Sequence, residues 1–579
     1  MHVPLPLLQL SYVDLQDISL FYSIRAKISF MKKRLMEKLH SLTKEDFFVS
    51  VFAATFFVGV WYALPMVNTI TDVWAFGGGV LRAMDAHTIL PGGDVEYGTI
   101  SFFQNYVAMA VALGFGFLFT GFDIEALKTV LVLNPSYSLI PSRIVSILTS
   151  GVLLVVVYRF LQVHITSSWW RVALLVLVFA NVLTTLLARS GKMWMLSTAL
   201  GVVSFIYLYQ ALTQERQSGI PGRASLISVI TAFLATANFP FAAVFLINIP
   251  IIFLFFSKAA KSLKRLLYIV LTGAAICIAI VALNFQNTFE LVSLFIVKLF
   301  QPSTEAVIAA TPDLSFVVAL LVNVRHVVEA FPLLLLALVV VIVSVSRLQV
   351  RNKTLAYLAL TYGVIWIIMA AVLFRTDHGL ALNVRHIFPV GFFLLFLIVA
   401  YGEPARRVAI SFFSIGLAIY VYTLVLLSVP TTYNDVSDFI VSQYGDEEIR
   451  IDEHIFELTL PMNKASYEIF AEKHCGSTCS QRRMLDSDIS FKPLVVTDHT
   501  NKEKLDALPS ADIVVHERSI PGCIPVAYFG NVVPDNEVFD IDINLGRMLM
   551  PSFYTLHQLG KNMYVYEVVT CPAANVSGS

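Results

Sequence analysis

The chain has 579 residues, 57% of them hydrophobic and only 14% charged, with a formal net charge of zero. A soluble globular protein carries about 25% charged residues, so this composition excludes a water-soluble chain, and equally a disordered, collagenous, coiled-coil or small disulfide-scaffold protein. It indicates a multi-pass membrane protein. Charge is unevenly spread. Up to residue 428 there are 29 Lys and Arg against 18 Asp and Glu, and from 429 onward 11 against 22. The two regions therefore belong to different environments.

In chain order, residues 1–46 form a basic leader with Lys32-Lys33-Arg34. In it Phe21, Ile24, Ile28, Met31 and Leu35 recur at steps of three and four, the spacing of a helix lying on a membrane surface. The alternative is a solvated tail. Apolar stretches long enough to span a bilayer, or to do so as broken pairs, follow at 47–65, 142–160, 170–188, 193–212, 224–237, 239–256, 264–284, 329–347, 354–374, 387–401 and 406–428. The first is read as an uncleaved signal anchor. The pair 224–237 and 239–256 is interrupted at Asn238-Phe239-Pro240, where proline removes a backbone donor. The stretch Phe102–Thr120 is expected to lie in the interface.

Lys and Arg set the orientation. With the N-terminus cytoplasmic, 20 of the 29 bases up to residue 428 fall on inner loops and 9 on outer ones. Eleven crossings are expected, giving a transmembrane region over 47–428 with a first outer loop at 66–141. Residues 429–579 follow as an extracytoplasmic α/β domain. Its strands are expected at Leu494-Val495-Val496, Ile513-Val514-Val515, Val526–Phe529 and Met563–Val569, and a helix at Ala465–Glu472. It holds Cys475, Cys479, Cys523 and Cys571. An even number in an oxidising compartment suggests two disulfides, with three pairings open; a zinc site is the lesser alternative. Cys277 reads as a small apolar residue within a span. Asn352-Lys353-Thr354 and Asn575-Val576-Ser577 match the glycosylation acceptor pattern, a three-residue signal.

No phosphate-cradling loop with Lys, HExxH or GxSxG is present, and Gly77-Gly78-Gly79 lacks the Lys that a nucleotide loop needs. The informative feature is where ionisable residues stand. The spans are nearly free of charge. Asp72, Arg82, Asp85, Asp94, Glu96, Arg143, Arg189, Lys192, Arg325, His326, Glu329, Arg375, Asp377, His378, Arg385 and His386 collect at expected outer helix ends. Charges near a bilayer are costly and mark a task or a partner. After Asp72, the residues Val73, Phe76, Val80 and Met84 recur at helical spacing, so Asp72 either caps a short interfacial helix or acts as a general base.

The runs Asp72-Val73-Trp74 with Gly79-Val80-Leu81-Arg82, and Tyr97-Gly98-Thr99-Ile100-Ser101, resemble the first outer loop of GT-C glycosyltransferases. They are most similar to the protein mannosyltransferase/aminoarabinose transferase branch, family 39-like. Ser142-Arg143 through Tyr158-Arg159 is similar to that family's second conserved span, and Asn383-Val384-Arg385-His386-Ile387-Phe388-Pro389 to an element near its last helices. Together these cover about residues 47–430. The resemblance implies a glycosyltransferase moving a sugar, expected to be a hexosyl group, from a polyprenyl-phosphate donor to a protein, lipid or glycan acceptor. The reaction would take place at the outer face of a plasma membrane. It implies Asp72 as base, Arg82, Tyr97, Arg143, Arg189, Lys192, Arg385 and His386 as substrate contacts, and no cofactor, metal or nucleic-acid partner. The chain departs from the family at Val73, where a second acid is usual, at Ala75, and in Ala188-Arg189-Ser190-Gly191-Lys192, where an acid is replaced. The alternative reading is a non-catalytic membrane protein, either a lipid-linked glycan transporter or a scaffold for the C-terminal domain.

Overall fold

The computed structural model describes residues 43–62, most of 77–91, 98–133, 139–256, most of 260–289, 316–344, 350–374 and 384–444, with short stretches between 450 and 567. It divides into two compact units, 1–52 and 53–579. Of the first unit, residues 43–52 are described and form most of helix α1 (Lys44–Thr55).

The remaining helices are α2 (Thr99–Phe119), α3 (Ile124–Leu133), α4 (Leu139–His164), α5 (Ser168–Phe179), α6 (Val182–Leu187), α7 (Met193–Thr213) and α8 (Arg223–Asn238). They continue as α9 (Asn248–Phe256), α10 (Ala260–Ala282), α11 (Phe316–Ala330), α12 (Pro332–Ser344), α13 (Lys353–Phe374), α14 (Val390–Tyr401), α15 (Arg406–Leu426) and α16 (Thr432–Tyr444). Among the described residues six helices (α2, α4, α7, α10, α13 and α15) are long and apolar enough to cross a membrane, and the bent pair α11–α12 makes a seventh. The chain is a multi-pass membrane protein. Leu267, Leu271, Ile278, Val339, Val343, Leu360 and Val364 point outward from these helices, as residues facing lipid do.

Each of the eleven apolar stretches contains helix, but several are broken within the stretch. α1 stops at Thr55 and the chain runs on as turns to Tyr62. The stretch 170–188 divides at Asn181, whose Oδ1 accepts from Leu183 N at 2.8 Å and Thr184 N at 3.4 Å and so caps α6. The stretch 329–347 begins inside α11, which meets α12 at 84° around Phe331. The carboxamide of Asn181 also donates to Ala330 O, the end of α11. A break in a membrane helix is tolerated when side chains re-satisfy its backbone. The stretch expected to lie in the interface is helix α2, long and apolar enough to span. Its first turns are buried at Thr99, Ser101, Phe102 and Asn105, while Val107, Val111, Phe115 and Phe119 are exposed.

The bundle interior holds a neutral polar knot. Asn248 Nδ2 donates to Ser204 Oγ at 2.7 Å and Ser228 Oγ at 2.8 Å, and Tyr362 OH donates to Asn248 Oδ1. This joins α7, α8, α9 and α13 through fully paired groups. The carboxamide of Asn352, the residue of the first acceptor pattern, caps α13 by accepting from Leu355 N at 3.0 Å. Cys277 is a free thiol in α10.

Beyond α16 lies a five-stranded mixed sheet of β1 (Arg450–Glu453), β2 (Val495–Asp498), β3 (Ile513–His516), β4 (Ala527–Phe529) and β5 (Met563–Glu567), ordered β2-β1-β3-β5-β4. β1 runs parallel to β2 and β3, and β5 antiparallel to β3 and β4. The central β3 buries Ile513, Val514 and Val515 on both faces. α16 packs on β4 and β5, with Phe439 5.7 Å from Phe529 and Tyr444 OH donating to Glu567 Oε1 at 2.9 Å. All four expected strands occur; β1, too short and polar to stand out, is the fifth. Cys523 is disulfide-bonded. The expected helix Ala465–Glu472, the other three cysteines of this region, and residues 1–42 of the leader lie outside the described residues.

Candidate functional site: a buried basic cluster at one end of the helices

Arg143, Arg189, Lys192, Arg325 and Arg385 are all at most 5% exposed, with His326, His386 and Glu329 likewise buried. They form two groups with different partners.

Arg143 and Arg189 face the turns that follow α1. Arg143 Nη1 donates to Val60 O at 2.8 Å and Tyr62 O at 2.7 Å. Arg189 Nε donates to Val58 O at 2.7 Å, Nη2 to Thr55 O at 3.3 Å and Nη1 to Thr185 O at 2.6 Å. Arg189 also bonds to the Tyr420 side chain, which shares a 2.8 Å hydrogen bond with Thr55 Oγ1. Carbonyls at a helix end lack intrahelical donors. The forked guanidinium supplies several from one side chain. The two arginines thus hold the exit of the first apolar stretch through backbone contacts.

Lys192, Arg385, His386 and His326 form the second group. His386 lies within electrostatic reach of Arg385, Lys192 and His326. Arg385 and His386 sit on a 3-10 turn (Val384–Ile387) that packs against α11, the helix carrying Arg325, His326 and Glu329. The turn is held because Trp366 Nε1 donates to His386 O at 2.7 Å. The Arg385 guanidinium lies 5.5 Å from the centroid of the Trp194 ring, a cation–π contact, and the Trp194 ring is 5.0 Å from that of His386. Lys192 is the N-cap of α7, so the unsatisfied N–H groups of that helix open where the cations gather. Arg325 Nε is 3.6 Å from Glu329 Oε1. Glu329 is the one buried carboxylate among the described residues.

A neutral polar rim adjoins this group. Asn238 Oδ1 accepts from Ser101 N at 2.8 Å and its Nδ2 donates to Ser197 Oγ at 2.8 Å, tying α2, α7 and α8. Trp194 stacks edge-on to Phe239, 4.6 Å away. In the sequence Asn238 stands out only as a break, and Trp194 and Trp366 do not stand out, because an aromatic or amide in an apolar run carries no distinguishing local pattern. Arg325, His326 and Glu329 are conspicuous in the sequence as charges at an outer helix end, but nothing local places them at the site.

Of the residues expected from sequence, the structure therefore gathers Lys192, Arg385 and His386, and sets Arg143 and Arg189 together on backbone carbonyls. Asp72, Arg82 and Tyr97 lie outside the described residues. Near them, Val80 and Ala83 are helical and buried, and Gly98 begins α2 with φ +86°. No group of three or more His, Cys, Asp or Glu that could hold a metal occurs among the described residues.

No protein-family model matches the sequence, and no curated protein matches it. Among solved structures the chain is similar to ArnT from Cupriavidus metallidurans bound to undecaprenyl phosphate, with 11% identity, TM-score 0.41, and coverage of 81% of this chain and 92% of that one. It is similar to the apo state of the same protein at 12% identity and TM-score 0.40, with the same coverage. At this TM-score the backbones agree only loosely, and no residue role passes from one chain to the other.

Proposed function

We propose that the chain is a multi-pass membrane glycosyltransferase of the GT-C type, moving a sugar from a polyprenyl-phosphate donor to an acceptor at the outer face of a plasma membrane. The observation that carries this reading is the convergence of Lys192, Arg385, His386 and His326, from three separate parts of the chain, around the N-terminus of α7. Such a collection of buried donors suits an anionic group. In the reaction the acceptor oxygen or nitrogen bonds to the anomeric carbon, the bond from that carbon to the phosphate oxygen breaks, and the electron pair leaves on the phosphate. Cations at that phosphate stabilise the charge as it develops. Asp72 takes the acceptor's proton, and Arg82 and Tyr97 act with it from the first outer loop. Arg143 and Arg189, whose guanidiniums face backbone carbonyls, serve by holding the neighbouring chain. The acidic C-terminal region faces the same outer side, as the distribution of bases implies.

The test uses the full chain in detergent, with undecaprenyl phosphate as the binding probe and, for turnover, release of undecaprenyl phosphate from its sugar-loaded form in the presence of an acceptor. Asp72→Asn should bind the probe and lose about 10²–10⁴-fold in turnover, the usual cost of removing a general base. Arg385→Ala should bind it poorly. Near-normal turnover by Asp72→Asn would return Asp72 to a helix cap, which Asn serves equally well. A parent chain that does not bind the probe would sink the reading altogether.

A further inference from the structure

The turn joining α6 to α7 holds Arg189, Ser190, Gly191 and Lys192 in four consecutive positions, so a carbonyl clamp and a cluster cation are separated by two residues. We propose that Gly191 is a positioning residue that sets the Lys192 ammonium in the anion site; this rests on the reading of that site as a lipid-phosphate site. Gly191 has φ +68°, a conformation strained for any L side chain. A Cβ added there would stand 2.7 Å from Ser142 Cβ, 3.1 Å from the Ser142 carbonyl carbon and 3.3 Å from Arg143 N. Two of these are backbone atoms of α4, so a side chain at 191 must push the turn away from that helix.

The start of the turn cannot follow. Arg189 is tied to Thr55, Val58 and Thr185, and Ser190 Oγ donates to Leu187 O at 2.9 Å. Displacement is therefore passed forward to Lys192, whose N–H donates to Ser190 Oγ at 3.3 Å. Lys192 is 3% exposed and lies within electrostatic reach of His386. A long flexible side chain at the surface would absorb such a shift; an enclosed one moves its charge with its backbone. Gly191 thus acts through Lys192 and touches no substrate.

The experiment is a double-variant cycle on the full chain in detergent, reading the dissociation constant for undecaprenyl phosphate. Lys192→Ala and Gly191→Ala should each weaken binding about tenfold, the loss of one charge-assisted contact. If Gly191 acts through Lys192, the double variant binds no worse than Lys192→Ala alone. Multiplied losses overturn the proposal, because independent sites add in free energy. Should Gly191→Ala not fold, Gly191→Asn takes its place, since Asn tolerates positive φ better. A second arm is independent of the lipid. Cysteines placed by Lys192→Cys and His386→Cys are bridged by a short bifunctional thiol reagent, and the joined peptides are read by mass spectrometry. Loss of that bridge on Gly191→Ala supports the proposal, and an unchanged yield overturns it. Failure of the parent to bind the lipid would remove the functional reading while this arm still decides whether Gly191 places residue 192.

Discussion

Arg159, Arg216, Arg223, Lys261, Lys264, Arg265, Arg351, Lys353, Arg406 and Arg407 lie exposed at one end of the helices, whereas Arg143, Arg189, Lys192, Arg325 and Arg385 are buried at the other. The carboxylates differ in the same way. At the exposed end Glu215 accepts from Gly222 N at 2.7 Å, Ala224 N at 2.6 Å and Ser225 Oγ at 2.6 Å, capping α8. Glu403 does the same for the chain at Thr166 and Ser167, accepting at 2.6 Å and 2.9 Å from their N–H groups, with exposed Arg351 3.7 Å away. At the buried end Glu329 faces Arg325 within a group of cations. Exposed bases remain hydrated and cost little; their use is to bias which side the loops occupy. Burying five bases in a membrane protein requires donors and charges to be used locally. Here Arg143 and Arg189 hold backbone carbonyls, Lys192 and Arg385 gather around a helix N-terminus, and Arg325 faces Glu329.

Variants at three residues would break or sharpen that contrast. The largest effect is expected from Arg189→Met, which leaves the carbonyls of Thr55, Val58 and Thr185 without this donor. Stability should fall by about 3–4 kcal/mol, since buried acceptors that lose a charged donor bear their full desolvation cost. Thermal unfolding in detergent reads this, and Arg189→Lys should recover only part, because an ammonium cannot fork to separated acceptors. A midpoint unchanged in Arg189→Met would show that the clamp contributes nothing.

An intermediate effect is expected at the opposite end. Glu215→Ala removes the acceptor for the first N–H groups of α8 and should cost about 1–2 kcal/mol, the range of a lost helix cap. Glu215→Gln keeps one acceptor oxygen and should fall between the two. If Glu215→Ala destabilised as much as Arg189→Met, the two ends would not differ as described.

The smallest effect belongs to the exposed bases. Arg407→Ala should change stability by no more than about 0.5 kcal/mol and leave undecaprenyl phosphate binding at the parent's level. A loss of binding comparable to that of Arg385→Ala would place the anion site at the wrong end of the molecule.

The positions of the apolar helices were legible in the sequence, since a run of about 20 apolar residues registers in any local window. The strands at 495–498, 513–516, 527–529 and 563–567 were legible for a similar reason, being dense in β-branched and aromatic residues. The interruption at Asn238-Phe239-Pro240 was visible because proline is. The end of α1 at Thr55 was not, because there the residues are as apolar as their neighbours and the break is held by distant side chains; the break after Ala330 has a local mark in Pro332, which begins α12.

For the site, sequence by itself determined that bases crowd the expected outer helix ends, since charge is a property each residue carries alone. Only the tertiary structure decided how that set divides. Arg143 meets a carbonyl 83 positions away and Arg189 one 131 positions away, whereas Lys192, three residues beyond Arg189, lies within electrostatic reach of His386 instead. No local pattern separates Arg189 from Lys192. What separates them is a left-handed glycine between them and the packing of that turn on α4, and a hydrogen-bond partner so far along the chain exists only once the helices have come together.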